Sequence, residues 1–320
     1  WYNKSIWLYL IYPFSLIFSF LTSRRRRRYI KNKIKSFTSK IPIIVIGNLT
    51  IGGTGKTPLV KYIATELIAK GYKPGIVSRG YGGQFKKTLK VTNETSVKET
   101  GDEAQILSKL GIPFYIDKNR VRAVKAIIKN NDCDVILSDD GLQHYKMGRN
   151  IEIAVIDGKR RFGNNLTFPA GPLRESKDRL KTVDFIVNNS GPTEEGEYLM
   201  NISPTKFVHL KSGKSYNIEN WPMHNQVHAV AGLGNPGRFF DLLEKLGFDI
   251  VRHPFPDHHQ FSSSDIFYLD HLPIVMTEKD ASKCKDFDNN KIWYLAIDAD
   301  VNNKFIDNLD KKLKQFSSND

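Results

Sequence analysis

The 320-residue chain reads as an α/β protein: a doubly wound parallel sheet followed by a smaller α/β unit. Three observations carry that expectation. Apolar, β-branched runs alternate with segments of helical spacing from residue 41 onward. A glycine-rich loop, Gly47-Asn48-Leu49-Thr50-Ile51-Gly52-Gly53-Thr54-Gly55-Lys56-Thr57-Pro58, lies between one such run and one such helix. A turn-rich seam at 190–196 separates this series from a second group of strands and helices that begins near Val227.

Taken in order, 41–46 is an apolar run of buried-strand type, and 59–70 has helical spacing and stops at Gly71. The alternation continues with a strand at 75–78, a helix at 103–110, a strand at 113–116, a helix at 120–129 and strands at 134–137 and 151–156, and extends over 181–188. The second group holds a strand ending near Val230, a helix at 239–246 and strands at 274–277 and 292–297. The chain thus divides into an N-terminal helix and basic segment (1–40), a nucleotide-binding unit (41–222) and a smaller C-terminal α/β unit (223–320). The Ser/Asn/Asp-rich end reads as a loose tail.

An apolar fraction of 40% suits a sizeable core rather than disorder. Cys133 and Cys284 sit in unrelated contexts, so neither a disulfide framework nor a structural zinc site is expected, and a reducing, cytosolic compartment fits. The formal charge of +14 is local: residues 1–40 hold ten Lys and Arg and no acid, leaving +4 for the other 280. The body carries no module of basic residues and stacking aromatics, which argues against nucleic-acid binding. No obligate protein partner is indicated.

The basic run Arg24–Arg28 follows an apolar stretch at 6–21. A signal peptide would place its charges ahead of that stretch and a small-residue cleavage site behind it. Sixteen residues cover roughly 24 Å, short of a hydrocarbon core of about 30 Å, and Pro13 interrupts them. Ser5, Tyr9, Tyr12, Ser15, Ser19 and Thr22 form a polar stripe opposite Ile6, Trp7, Leu10, Phe14, Ile17 and Leu21, although Leu8 and Leu16 fall within the polar side. The expectation is a helix lying in a membrane surface, its arginines against anionic headgroups at about 1 kcal/mol per charge, with the following domain cytoplasmic. The competing reading is a buried core helix followed by a solvated charge run.

The loop's glycines let successive N–H groups face phosphate oxygens, the helix N-terminus adds its positive end, Lys56 reaches the outer phosphates and the Thr57 hydroxyl ligates Mg²⁺. The residues expected around ATP and Mg²⁺ are Thr50, Ile51, Gly52, Gly53, Thr54, Gly55, Lys56 and Thr57. Thr50 stands where the usual phosphate-loop pattern has its first glycine. Asp134 to Asp140 is an apolar strand ending in two carboxylates, and Asp139 or Asp140 is the metal-side group.

Phosphoryl transfer to a hydroxyl also needs a group to take the proton. Asp102 in Gly101-Asp102-Glu103 and the cluster Asp257-His258-His259 are the candidates, Asp102 being equally suited to cap a helix. Three polar, glycine-rich segments belong on the ligand-bearing edge of the sheet: Ser78-Arg79-Gly80-Tyr81-Gly82-Gly83, Gly141-Leu142-Gln143-His144 and Pro169-Ala170-Gly171-Pro172-Leu173-Arg174-Glu175. Arg79 and Arg174 suit bidentate phosphate contacts or ordinary ion pairs. Gly232-Leu233-Gly234-Asn235-Pro236-Gly237 has dinucleotide-loop spacing, but Pro236 removes an N–H and no acidic residue follows at the ribose position, so a tight strand-to-helix turn fits better.

In this order, these segments resemble the tetraacyldisaccharide 4'-kinase family, the membrane-associated lipid A kinases, over nearly the whole chain through Met276-Thr277-Glu278-Lys279-Asp280. The resemblance implies ATP-dependent phosphorylation of the 4'-hydroxyl of an acylated glucosamine disaccharide monophosphate, at the cytoplasmic face of the bacterial inner membrane. It also implies a phosphate-loop core and a smaller domain that closes over a cleft. Asp102 would be the base with His258 as its partner, and Lys56 would stabilise transferring charge. Thr57, Asp139, Asp140 and Glu175 would manage Mg²⁺, while Arg79, Gln143, His144 and Arg174 would line the substrate cleft. Thr100 departs from the small apolar residue common before Gly-Asp-Glu. The loop also resembles that of membrane-cycling ATPases, whose signature lysine is replaced here by Ile51. A kinase of a soluble small molecule is a further alternative, one that leaves the apolar, arginine-backed N-terminus without a use.

Overall fold

The computed structural model describes Trp1 and residues 7–317; Ser5 and Ile6 of the N-terminal stripes lie outside them. After α1 (Trp7–Ile30), the first unit runs β1 (Ile43–Gly47), α2 (Lys56–Ala69), β2 (Pro74–Ser78), β3 (Leu89–Lys90), α3 (Val97–Thr100), α4 (Asp102–Ser108), β4 (Phe114–Ile116), α5 (Arg120–Asn130), β5 (Val135–Asp139), β6 (Ile151–Asp157) and β7 (Phe185–Asn189). Then follow β8 (Glu197–His209), β9 (Ser215–Asn217), β10 (Gln226–Ala231), α6 (Gly237–Lys245), β11 (Asp249–Pro254), β12 (Ile274–Thr277), α7 (Glu278–Ala281), β13 (Ile292–Val301) and α8 (Asn303–Ser317).

All described strands join one sheet, ordered β11-β10-β12-β13-β8-β7-β6-β1-β5-β2-β4-β3, with β9 beside β8. Strand β1 pairs in parallel with both β5 and β6. Its side chains alternate faces: Ile44 and Ile46 enter the core under α2, Ile43 and Val45 the core under α5. A strand covered on both faces can be uninterruptedly apolar, as Ile43–Gly47 is. Because the strands on either side of β1 come later in the chain, its C-terminal end is a topological switch point, where α/β sheets bind ligands.

The two units are not joined by a loose seam. Strand β8 starts parallel to β7 and ends paired with β13, whose register runs antiparallel from Trp293 opposite His209 to Val301 opposite Met200. The register shifts at Ala296/Ile297, midway along this two-strand bridge. The chain therefore returns to the first unit: Phe305, Leu309 and Leu313 of α8 are buried in the core with α2. The expected C-terminal unit, 223–320, includes α8, but the apolar face of that helix packs with the core of the nucleotide-binding unit; residues 318–320 of the expected tail lie outside the described residues.

Helix α1 continues unbroken from the apolar stretch through the arginine run. Its polar side meets protein: Ser15 is 2% exposed, its hydroxyl accepting the Ala170 N–H at 2.8 Å and its carbonyl accepting the Thr167 hydroxyl at 2.9 Å. Leu10, Phe14, Ile17 and Leu21, by contrast, are each more than half exposed. This inverts the pattern of a helix packed on a globular protein, which excludes the buried core helix. Among the described residues no helix is long and apolar enough to cross a membrane.

Candidate active site

The glycine-rich loop leaves β1 at the switch point and enters α2 at Lys56. Gly55 has φ 89°, and a Cβ there would come within 2.5 Å of Asn189 Nδ2, so the last turn before the helix requires glycine. The loop is braced on each side. Asn189 donates to Thr54 O at 3.0 Å, Gln143 donates to Asn48 O at 3.2 Å, and Arg160 donates to Gly53 O. Outside it, the Pro169–Glu175 segment pairs with the loop edge: Ile51 N–H donates to Pro172 O at 2.8 Å and Arg174 N–H to Leu49 O at 2.6 Å. Gln143, expected in the substrate cleft, thus serves as a brace of the phosphate loop.

Strand β5 delivers Asp139 and Asp140 beside this loop. Asp140 lies 3.5 Å from Lys56 Nζ and accepts from Arg174 at 3.0 and 3.2 Å. Burial opposes its ionisation, but Lys56, Arg174 and Arg120 outweigh that and hold it below the ordinary carboxylate range. The buried Arg120 guanidinium fixes the turn by donating to the Asp139 and Asp140 carbonyls at 2.9 and 2.7 Å.

Asp139 behaves oppositely. Burial, the Glu103 carboxylate and Asp140 push it up to about 7 against Lys56 and Arg120. Its Oδ1 is buried without a hydrogen-bond partner. An orphaned oxygen beside a second carboxylate and a phosphate loop fits a divalent cation, which would relieve both the desolvation and the repulsion. Glu175, expected among the metal-side groups, has its carboxylate oxygens taken by Tyr145 Oη at 2.7 and 2.9 Å, with Arg179 Nε at 3.5 Å. That placement gives the metal role no support. Glu103, adjacent to Asp102 but given no role from sequence, acts on Asp139 more strongly than Asp140 does.

Asp102 opens α4, only 5% exposed. It follows Gly101, where φ is 82° and a Cβ would lie 2.1 Å from the Tyr81 carbonyl oxygen. The Arg79–Gly83 and Gly101–Glu103 segments are therefore one packed corner, which no spacing in the sequence reveals. Asp102 Oδ1 accepts the Glu103 N–H at 3.0 Å, and Oδ2 lies 3.1 Å from His258 Nδ1. His258, with φ 60°, comes from the second unit, its ring 5.7 Å from that of Tyr81. Its neighbour His259 turns away to Asp265 at 3.2 Å, so the two histidines do not converge on one ion. The Gly232–Gly237 segment makes the expected strand-to-helix turn between β10 and α6.

Arg79 is exposed at the end of β2. His144 is half-buried with Nε2 unpartnered; burial first, then Arg120, Arg149, Arg25 and Lys146, push it down to about 4. In the unfolded chain it titrates near 6.5, so between pH 6.5 and 4 the unfolded state takes up a proton that the folded state does not. The stability it contributes is complete above pH 6.5 and is lost as pH falls towards 4. His144→Asn should therefore show a shallower fall of the urea midpoint over that window than the parent chain, and identical slopes would contradict this electrostatic picture.

The family model for tetraacyldisaccharide-1-P 4'-kinase, LpxK, matches residues 7–314. A protein of Methylobacillus flagellatus named tetraacyldisaccharide 4'-kinase is 42% identical, with 94% of this chain and 90% of its own length aligned. One from Ruthia magnifica with the same name is 44% identical, covering 95% and 97%. The crystal structure of LpxK from Aquifex aeolicus in complex with ATP superposes with a TM-score of 0.84 over 97% of this chain and 99% of that one, at 25% identity. A phosphate loop at the switch point, faced by an Asp–His pair, is thus seen in a chain that belongs to the tetraacyldisaccharide-1-P 4'-kinase family.

Proposed function

We propose that this chain transfers the γ-phosphoryl group of ATP to the 4'-hydroxyl of a tetraacylated glucosamine disaccharide 1-phosphate in lipid A biosynthesis. The observation that carries the mechanism is Asp102, held 3.1 Å from His258 in a corner that also presents Glu103 towards Asp139. The Asp102 carboxylate accepts the proton of the acceptor hydroxyl, and His258 orients it and shares the charge. Lys56, anchored by Asp140, stabilises charge on the transferring group. The Thr57 hydroxyl and Asp139 would hold Mg²⁺, with Glu103 behind them; Mg²⁺ supplies neutralisation of the phosphate oxygens. Arg79 and His144 face the acceptor sugar phosphate, and Arg174 fixes the Asp140–Lys56 pair from the cleft side.

The substrate is lipid, and α1 is built to meet it. Its outward row Leu10, Phe14, Ile17 and Leu21 leads into Arg24, Arg25 and Arg28, while Arg26 donates to the Thr182 hydroxyl, so apolar burial and headgroup attraction act on one face of one helix. The chain docks peripherally on the cytoplasmic face of the inner membrane, which raises the effective concentration of a bilayer-held acceptor.

Label from γ-labelled ATP with Mg²⁺ should appear on an acylated glucosamine disaccharide 1-phosphate in detergent micelles, and disappear in Lys56→Ala. Asp102→Ala should lower turnover on the order of 10²-fold or more with little change in nucleotide affinity. Hydrolysis of ATP without labelled lipid would contradict the reaction, and an equal loss of nucleotide binding would move Asp102 to the nucleotide site. With vesicles containing anionic lipid, a Leu10→Ser/Phe14→Ser/Ile17→Ser variant should bind on the order of 10²-fold or more weakly, since each apolar side chain contributes about 1.5 kcal/mol or more when buried. Unchanged flotation would rule out docking through α1.

A further inference from the structure

The Asp102–His258 pair is backed by a set of charges from the second unit. Asp280, fully buried on α7, accepts the Gly232 N–H at 2.9 Å and the Thr277 hydroxyl at 2.7 Å. Its other oxygen lies 3.0 Å from Lys283 Nζ. The Lys283 side chain is 3% exposed, and its ammonium also lies 3.8 Å from Asp102 Oδ2, across the boundary between the units. One turn earlier, Lys279 Nζ stands 3.6 Å from Asp102 Oδ2, 3.5 Å from Asp257 Oδ1 and 3.5 Å from His258 Nε2. The Asp102 oxygen that faces the second unit is thus met by one imidazole and two ammonium groups, while its other oxygen is held by its own helix.

A buried ammonium needs compensating acceptors, and Asp280 alone would satisfy Lys283 within its own unit. The placement goes further than that requirement. If Lys283 served only the second unit, nothing would call for Asp102 at its far side, nor for a second lysine at the same oxygen. The chain Gly232, Asp280, Lys283, Asp102 also gives the Gly232–Gly237 turn a use: its first N–H fixes the carboxylate that fixes the lysine.

We infer that Lys283 and Lys279 are positioning residues for the transfer reaction, holding Asp102 Oδ2 against His258 when the second unit lies over the phosphate loop. The inference rests on Asp102 being the base. Their contribution is to the geometry of the proton acceptor, not to nucleotide binding, and so belongs in kcat rather than in KM for ATP.

The test measures transfer by the full chain carrying Lys279→Met, Lys279→Arg and Lys283→Met, each alone and combined with Asp102→Ala, alongside melting temperatures. Lys279→Met should lower kcat on the order of tenfold or more, with KM for ATP within about twofold, and Lys279→Arg should recover most of the loss. In the Asp102→Ala background the same change should have no further effect on residual turnover, because the group being positioned is gone. Removing one partner of a buried pair costs stability, so Lys279, at the rim, keeps the test decisive even where Lys283→Met fails to fold. Parental kcat in Lys279→Met, with Asp102→Ala inactive, would overturn the inference and leave the base assignment standing. An undiminished loss in the Asp102→Ala background would overturn it too, by showing a role independent of Asp102. Parental turnover in Asp102→Ala alone would remove the base assignment itself.

Discussion

Asp102 and His258 are 156 positions apart, and they meet at 3.1 Å because β8 and β13 cross between the two units as one antiparallel ribbon. A single connecting loop would leave the second unit free to turn. Two paired strands tie it down at both ends of the ribbon, and α8, carried back by β13, anchors the chain in the first core. The site depends on this constraint, since the phosphate loop, Asp139 and Asp102 come from the first unit while His258, Lys279 and Lys283 come from the second.

Within the first unit, charge is arranged by pairing rather than by net sign. Asp140 is held ionised between Lys56 and Arg174, whereas Asp139, one residue away, is left with an orphaned oxygen and Glu103 for company. Adjacent carboxylates can differ this much because β5 ends between them: Asp139 still lies within the strand, and Asp140 turns out of it with φ 48° under the hold of Arg120. Backbone direction thus gives the two carboxylates different partners: the second meets the lysine of the loop, while one oxygen of the first is left without a hydrogen bond.

Much of the first unit was legible because its signals are local. The Ile43–Gly47 strand, the glycine loop and α2 follow from hydrophobic period and glycine placement alone. What escaped was non-local. Strand β8 alternates partly exposed residues with Pro204 inside, and α8 is polar over more than half its surface, so neither stands out until its partner is known. In the site, Lys56 and Thr57 were assigned by motif, but pairing Asp102 with His258 came through family resemblance, because no spacing rule links residues brought together by a distant crossing. Glu103 lies in the Gly-Asp-Glu segment but was given no role from it, and Arg120 and Lys283 carry no motif of their own. Glu175 illustrates the converse: it sits in a recognisable segment, yet its carboxylate is occupied by Tyr145 and Arg179 beneath the arginine run of α1.

On the proposed mechanism Asp102 and His258 act as one device across the two units. The most direct test is a double-mutant cycle in the lipid transfer assay, comparing Asp102→Ala, His258→Ala and the double variant. Acting as a unit, the double variant should turn over no more slowly than the slower single variant. Losses that multiply would show two independent contributions and would contradict the claim.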